Sequence, residues 1–119
     1  GIAFFPEQYG VPAYDELILV ANKNSVTDKK TSAFLTALEQ ATSYLQAHPN
    51  EAWQAFVSYK PNELNTPLNQ LAWKDTLPFL ANKPRQLDAK RYQQMAEFMQ
   101  QKGLIPKALA LKEYAVEIE

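Results

Sequence analysis

The sequence contains no cysteine, which excludes disulfides and metal sites built on thiolates. It has only three glycines, Gly1, Gly10 and Gly103, and these are too few and too scattered to build a glycine-rich phosphate-binding loop. The single histidine, His48, cannot form a histidine-rich metal site, and the proline that follows it is typical of the end of a helix. We therefore predict neither a metal site nor a cofactor.

An excess of one charge is also missing, because 12 basic and 13 acidic residues give a formal net charge of -1. The basic clusters, Lys29-Lys30 and Arg85 with Lys90-Arg91, are short and lack interleaved aromatic residues, which favours solvated helix faces. The sequence therefore predicts no nucleic-acid partner.

No stretch of the chain approaches the roughly 20 apolar residues that are needed to span a bilayer. A length of 119 residues, of which 46% are hydrophobic, is enough for one domain with its own core. Composition therefore indicates a globular domain.

Patterns of catalytic residues are absent as well. The chain has no Gly-x-Ser-x-Gly nucleophile elbow and no His-Glu-x-x-His helix. Asp15 and Glu16 are adjacent, and adjacent residues of a strand point to opposite faces, so they do not form an acid–base pair. We predict no catalytic residue and a protein that is not an enzyme.

The most informative segment present is 8–22, where a polar loop leads directly into consecutive apolar residues. Gly10 permits backbone angles that other residues avoid, and Pro12 stiffens the loop. The run 17–21 lacks the alternation of a half-exposed strand, which predicts a strand buried on both faces. Tyr14 is then held at the mouth of a sheet.

Four amphipathic segments with capping residues predict helices after this strand. The helices are expected from a cap at Thr27 or Asp28 to about Ala47, from Asn50 to about Tyr59, from Glu63 to Thr76, and from Asp88 to a left-handed end at Gly103. The chain is therefore predicted to be mainly α-helical with one or two strands.

Apolar residues at helical spacing predict the buried faces of these helices. The fourth helix carries Tyr92, Met95, Ala96 and Met99 as one stripe. Trp53 and Trp73 also lie among apolar neighbours, which favours packing over ligand stacking. The tail from residue 104 is expected to wrap over the body, with 114–118 extended or weakly helical.

The loop and the apolar run, followed by the segment 31–53 that ends in Glu-Ala-Trp53, resemble a family of substrate-binding proteins. This family delivers thiamine's pyrimidine precursors to ABC transporters and includes fungal pyrimidine-precursor synthases. The Gly10-Val-Pro loop and Glu-Ala-Trp53 resemble the bacterial transport branch. The synthase branch carries a cysteine-rich segment where this chain has residues 10–15, and only Tyr14 retains its character, so the resemblance favours a binding protein.

The resemblance implies a type II periplasmic-binding-protein fold, an α/β architecture in which two lobes grip a ligand. Because family members are more than twice as long, residues 1–119 are expected to be the C-terminal part of such a protein. Residues 1–22 would be an inter-lobe loop and return strand, and residues 23–119 a helical C-terminal region. Most of the pocket would then lie upstream of Gly1.

The function implied by the resemblance is that of an extracytoplasmic component, periplasmic or lipid-anchored, of an ABC importer in thiamine biosynthesis. Its ligand would be hydroxymethylpyrimidine or formylaminopyrimidine, and its partner a transporter permease. Tyr14 and Pro12 are the predicted ligand-binding residues, with the Tyr14 ring stacking on the pyrimidine.

Three alternatives remain open. The protein is a pyrimidine-precursor synthase, a binding protein for another small solute such as a sulfonate or nitrate, or a helical interaction module. Binding of a pyrimidine ligand separates a binding protein from an interaction module, and turnover identifies the enzyme.

Overall fold

The structure is a computed structural model that describes residues 1–118. Its five α-helices over that range are α1 (Lys29–Ala47), α2 (Pro49–Ser58), α3 (Pro61–Leu64), α4 (Pro67–Thr76) and α5 (Ala89–Gln101). Short 3-10 turns occupy Pro6–Tyr9, Lys23–Ser25, Leu77–Phe79 and Leu111–Glu113. The prediction of a mainly helical chain is confirmed, whereas residues 1–118 contain no strand.

The chain divides into two compact units. The first unit, called the terminal unit, consists of residues 1–26 and those from 86 onward. The second, called the central unit, consists of residues 27–85 and contains α1 to α4.

Local capping explains where α1 begins. The Asp28 side chain accepts a hydrogen bond from the Lys30 backbone N–H at 2.8 Å, which satisfies one of the free amides of the first turn. The predicted helix from Asp28 to Ala47 is confirmed. Pro49 then starts α2, because a proline at the first helical position has no amide that the helix would need.

Two predicted helix boundaries in the central unit are wrong. Asn50 does not cap α2, because His48 occupies the N-cap position and Pro49 is already helical. The predicted helix 63–76 is broken into α3 and α4. Thr66 caps α4 by accepting a hydrogen bond from the Asn69 N–H at 3.1 Å, so the chain restarts at Pro67.

The core of the central unit is small. Leu35 on α1 and Ala52, Trp53 and Val57 on α2 are its buried residues. The Phe56 ring stacks on the Trp73 ring with centroids 5.3 Å apart and so joins α4 to this cluster. As predicted, both tryptophans pack against apolar neighbours.

In the terminal unit, both predicted ends of α5 are confirmed. The Asp88 side chain accepts a hydrogen bond from the Arg91 N–H at 3.1 Å. At the other end Gly103 has a φ of 70°, and the Leu104 N–H bonds back to the Met99 carbonyl at 2.9 Å. This left-handed turn satisfies carbonyl groups of the last helical turn.

The predicted strand at 17–21 is wrong. These residues are irregular after a bend at Glu16 and Leu17, and they are not buried: Leu17 is 93% exposed and Leu19 57% exposed. A strand satisfies its backbone groups by pairing with a neighbouring strand, and residues 1–118 offer none. The hydrophobicity of the run therefore does not produce a strand in this chain.

Candidate functional site

A cavity of about 600 Å³, called the apolar cavity, opens in the terminal unit. Helix α5 contributes one wall, the segment 14–18 a second and the tail 105–114 a third. Its lining residues are Tyr14, Asp15, Ile18, Arg91, Tyr92, Met95, Ala96, Met99, Ile105, Pro106, Lys107, Leu109 and Tyr114. Its volume lies within the range of about 300–1,000 Å³ found for small-molecule pockets.

The stripe predicted on α5 explains the apolar character of the cavity. Tyr92, Met95, Ala96 and Met99 follow helical spacing and all line it. Ala96 is buried at the base of this stripe. The thioether side chains of the two methionines are flexible and can fill irregular gaps in an apolar surface.

A side-chain hydrogen bond holds the tail beside α5. The Ala108 backbone N–H donates to Gln100 Oε1 at 2.8 Å, close to Ile105, Pro106 and Leu109 in the chain. The bond anchors the apolar wall that these three residues form, because it ties the tail to the last turn of the helix.

Tyr14 lines the apolar cavity and does not lie at the mouth of a sheet as predicted, because residues 1–118 contain no strand. Its side chain is 44% exposed, so part of the ring remains open to solvent. Two further tyrosines, Tyr92 and Tyr114, line the same cavity with their ring centroids 6.4 Å apart. Aromatic faces are therefore available from three segments of the chain.

An ion pair joins the segment beside Tyr14 to α5. Arg91 Nη1 donates to Asp15 Oδ1 at 2.5 Å, and Arg91 Nε lies 3.9 Å from Asp88 Oδ2. The hydrogen bond to Asp15, reinforced by its charge, raises the pKa of the Arg91 guanidinium. Arg91 is therefore a cation held at the cavity wall.

Sequence reasoning missed this pair. It assigned Arg91 to a solvated helix face, and it judged Asp15 only against its neighbour Glu16. The two partners lie 76 positions apart in the sequence, so no local spacing reports their contact.

The Tyr92 phenol titrates in the same surroundings. Burial raises its pKa, and the nearby Asp15 carboxylate raises it further. The neutral phenol is thereby favoured, which keeps a hydrogen-bond donor in the apolar cavity.

Pro12 lies at a different site. It lines a second cavity of about 400 Å³ in the terminal unit together with Gly10, Ala13, Gln94, Glu97, Phe98 and Gln101. The structure therefore does not bring the two predicted binding residues, Tyr14 and Pro12, into one cavity. Pro12 is part of the loop that leads to Tyr14.

His48 has a local packing environment. Its ring stacks on Tyr44 with centroids 4.7 Å apart, and its Nδ1 lies 3.4 Å from Glu51 Oε2. Within residues 1–118 no group of three or more His, Cys, Asp and Glu side chains is arranged to hold a metal ion. No helix in that range is both long and apolar enough to cross a membrane.

Comparison with known proteins finds a matching family model and similar proteins. The family model described as NMT1/THI5 like matches residues 1–52. The formylaminopyrimidine-binding protein of Halalkalibacterium halodurans is 33% identical over 82 residues, which are 67% of this chain and 24% of that protein. The 4-amino-5-hydroxymethyl-2-methylpyrimidine phosphate synthase of Candida albicans is 31% identical over 64 residues, which are 52% of this chain and 19% of that protein.

These alignments cover a quarter or less of the length of both relatives. No solved structure matches the chain significantly. The resemblance predicted from the loop and the segment after it is confirmed.

Proposed function

From its relationship to the NMT1/THI5 like family, carried by residues 1–52, we propose that the chain is part of a binding protein for a pyrimidine precursor of thiamine. The observation that carries the proposal is the 33% identity with the formylaminopyrimidine-binding protein, which extends over two thirds of this chain. The ligand is of the formylaminopyrimidine or hydroxymethylpyrimidine type.

The apolar cavity provides surroundings that suit such a ligand. A pyrimidine is a flat aromatic ring with polar substituents at its edge, so its faces are stabilised by aromatic side chains and its edge by hydrogen-bonding groups. In the proposed complex Tyr14 stacks on the ring, while Pro12 stiffens the loop that carries Tyr14. Arg91, Asp15 and the Tyr92 hydroxyl are polar groups of the cavity wall that could bond to the edge of the ring.

In the proposed complete protein, residues 1–119 are the C-terminal part of a two-lobed type II periplasmic-binding-protein fold. Residues 1–22 form the inter-lobe loop and the return strand, and the remaining residues form the helical C-terminal region. The return strand would form there because a longer chain supplies strands with which residues 17–21 can pair. The protein would act outside the cytoplasm, periplasmic or lipid-anchored, and pass its ligand to the permease of an ABC importer.

Titration calorimetry of the complete protein with formylaminopyrimidine tests this proposal. We expect Tyr14→Ala to weaken binding about tenfold, because aromatic stacking contributes roughly 0.5–1.5 kcal/mol beyond area burial. Tyr14→Phe keeps the ring and should nearly preserve the affinity.

Tyr59→Ala is the matched control, since Tyr59 is an exposed tyrosine of the central unit. Absence of binding by the unaltered protein would refute the proposal. Binding that Tyr14→Ala leaves unchanged would retain the ligand but remove Tyr14 from its site.

A pyrimidine-precursor synthase is the second candidate, favoured by the similarity to the Candida albicans enzyme. The chain lacks the cysteines that the synthase branch carries near this loop, which argues for binding without chemistry. Formation of 4-amino-5-hydroxymethyl-2-methylpyrimidine phosphate by the complete protein would decide for the enzyme.

A further inference from the structure

The contact between Arg91 and Asp15 connects two segments of the terminal unit that both line the apolar cavity. Asp15 directly follows Tyr14, and Arg91 lies in the first turn of α5. A fixed Asp15 carboxylate therefore restricts the backbone next to the residue that carries the Tyr14 ring.

Besides Arg91, the Tyr92 hydroxyl also hydrogen-bonds to the Asp15 carboxylate, but regular secondary structure does not hold this segment. The segment from Val11 to Asn22 has no helix or strand, and its apolar residues 17–20 are exposed. Neither backbone pairing nor burial of that run holds the segment in place. A charged hydrogen bond of 2.5 Å is a strong directional contact for such a loop.

The Arg91 end of the contact is itself well anchored. Its backbone N–H bonds to Asp88 at the helix cap, and its Nε lies 3.9 Å from the same carboxylate. The guanidinium therefore extends from the capped first turn of α5 to the loop. The planar guanidinium of arginine carries several donors in a fixed geometry, so it orients its partner as well as attracting it. The ammonium group of a lysine acts as a point charge and does not fix orientation in this way.

We propose that Arg91 is a positioning residue for Tyr14, which holds Asp15 so that the Tyr14 ring stays at the wall of the apolar cavity. The consequence for ligand affinity rests on the function proposed above, whereas the effect on the ring does not. Exposed ion pairs add little to the free energy of unfolding. The expected effect of Arg91 is therefore on the orientation of the loop and not on overall stability.

The first test needs no ligand. A fluorinated tyrosine is placed at position 14 alone, and its fluorine NMR resonance is recorded in the 119-residue chain, in which the segment from Val11 to Asn22 forms no strand. Arg91→Met should shift this resonance towards that of the free amino acid, and Arg91→Lys should give an intermediate position. Asp15→Asn, which keeps the size of the side chain, should act in the same direction.

Lys90→Met is the matched control, because Lys90 is the neighbouring exposed cation on α5. A fluorine resonance that Arg91→Met and Asp15→Asn leave unchanged would overturn the proposal. Circular dichroism of each variant verifies that the helices are retained.

The second test is a double-mutant cycle read out as affinity for formylaminopyrimidine. With Tyr14 present, Arg91→Met should weaken binding about fivefold, within the range of coupling found for residues that share partners. In the Tyr14→Ala background the same change should weaken binding by less than about twofold, since no ring remains to be positioned.

Equal losses in both backgrounds would mean that Arg91 acts independently of Tyr14 and would overturn the proposal. If the unaltered protein fails to bind the pyrimidine, the proposed function is refuted, and the fluorine experiment still decides the role of Arg91.

Discussion

Trp53 packs edge-on against Trp73, with their ring centroids 5.5 Å apart and their planes inclined by 64°. Trp73 Nε1 also donates a hydrogen bond to the Pro49 carbonyl at 3.3 Å, so its polar group is satisfied while its rings pack. The pair joins α2 to α4 within the central unit. The central unit has few other buried side chains, so its stability depends strongly on this pair.

Trp53→Ala should therefore destabilise the central unit by about 3–5 kcal/mol, because it removes a buried aromatic side chain and leaves a cavity. Trp53 is 9% exposed, whereas Phe79 in the same unit is 88% exposed. Phe79→Ala should change the free energy of unfolding by less than about 0.5 kcal/mol. Urea unfolding followed by circular dichroism measures both, and equal losses would contradict the role of the Trp53–Trp73 contact.

Leu19→Asp should be tolerated by the 119-residue chain. A strand buried on both faces would not accept this charge, but Leu19 is more than half exposed here, so the melting temperature should change little. Leu35→Asp is the matched control, since Leu35 is buried on α1 and an unpaired buried charge costs several kcal/mol.

The same substitution examines the proposed return strand in the complete protein. There Leu19→Asp should lower the melting temperature strongly, because residues 17–21 would be paired and covered. An equally small effect in both chains would contradict the proposed strand.

Asp88→Ala should cost about 1 kcal/mol of stability, because it removes the side-chain acceptor from the first turn of α5. Asp88→Asn keeps an oxygen that accepts the same bond and should change stability by a few tenths of that cost. Thermal unfolding compares the two variants. A loss as large for asparagine as for alanine would assign the effect to the Asp88 charge.

The Tyr92 phenol should titrate at higher pH than free tyrosine, whose pKa is 10.0. A raised pKa means that the folded state favours the neutral phenol. This contribution to stability is complete below about pH 10 and is lost as the pH rises through the folded-state pKa. Absorbance at the phenolate band, compared with that of Tyr92→Phe, isolates this titration.

Asp15→Asn should lower the Tyr92 pKa, because it removes the carboxylate whose charge and hydrogen bond both raise that pKa. Glu16→Gln is the control, since Glu16 does not line the cavity. A Tyr92 titration unchanged by Asp15→Asn would leave burial as the main cause of the raised pKa.

Helix ends were predictable because their signals are local. Asp28, Asp88 and Gly103 act on atoms within a few residues of themselves, and the structure places each at the predicted end. The prediction that Asn50 caps α2 was wrong for a reason that is also local. The preceding Pro49 can itself be the first residue of a helix, which moves the cap to His48.

Contacts between distant parts of the chain were not predictable in this way. The run at 17–21 has the composition of a strand, but a strand exists only with a partner, and composition does not say whether one is present. Arg91 and Asp15 likewise meet only because the terminal unit brings its two chain segments together. Tyr14 could be selected as a candidate because the loop before it carries its own glycine and proline signals.

The exposed run at 17–20 also governs how concentrated a solution of the 119-residue chain can become. Four consecutive apolar residues, of which two are leucine and two are β-branched, can align with the same run in another molecule and start an aggregate. Glu16 on one side and Lys23 on the other are the nearest charges that oppose such stacking, since Asp15 is paired with Arg91. Shelf life and salt tolerance of purified samples should therefore respond more to these two flanking side chains than to the near-zero net charge of the whole molecule.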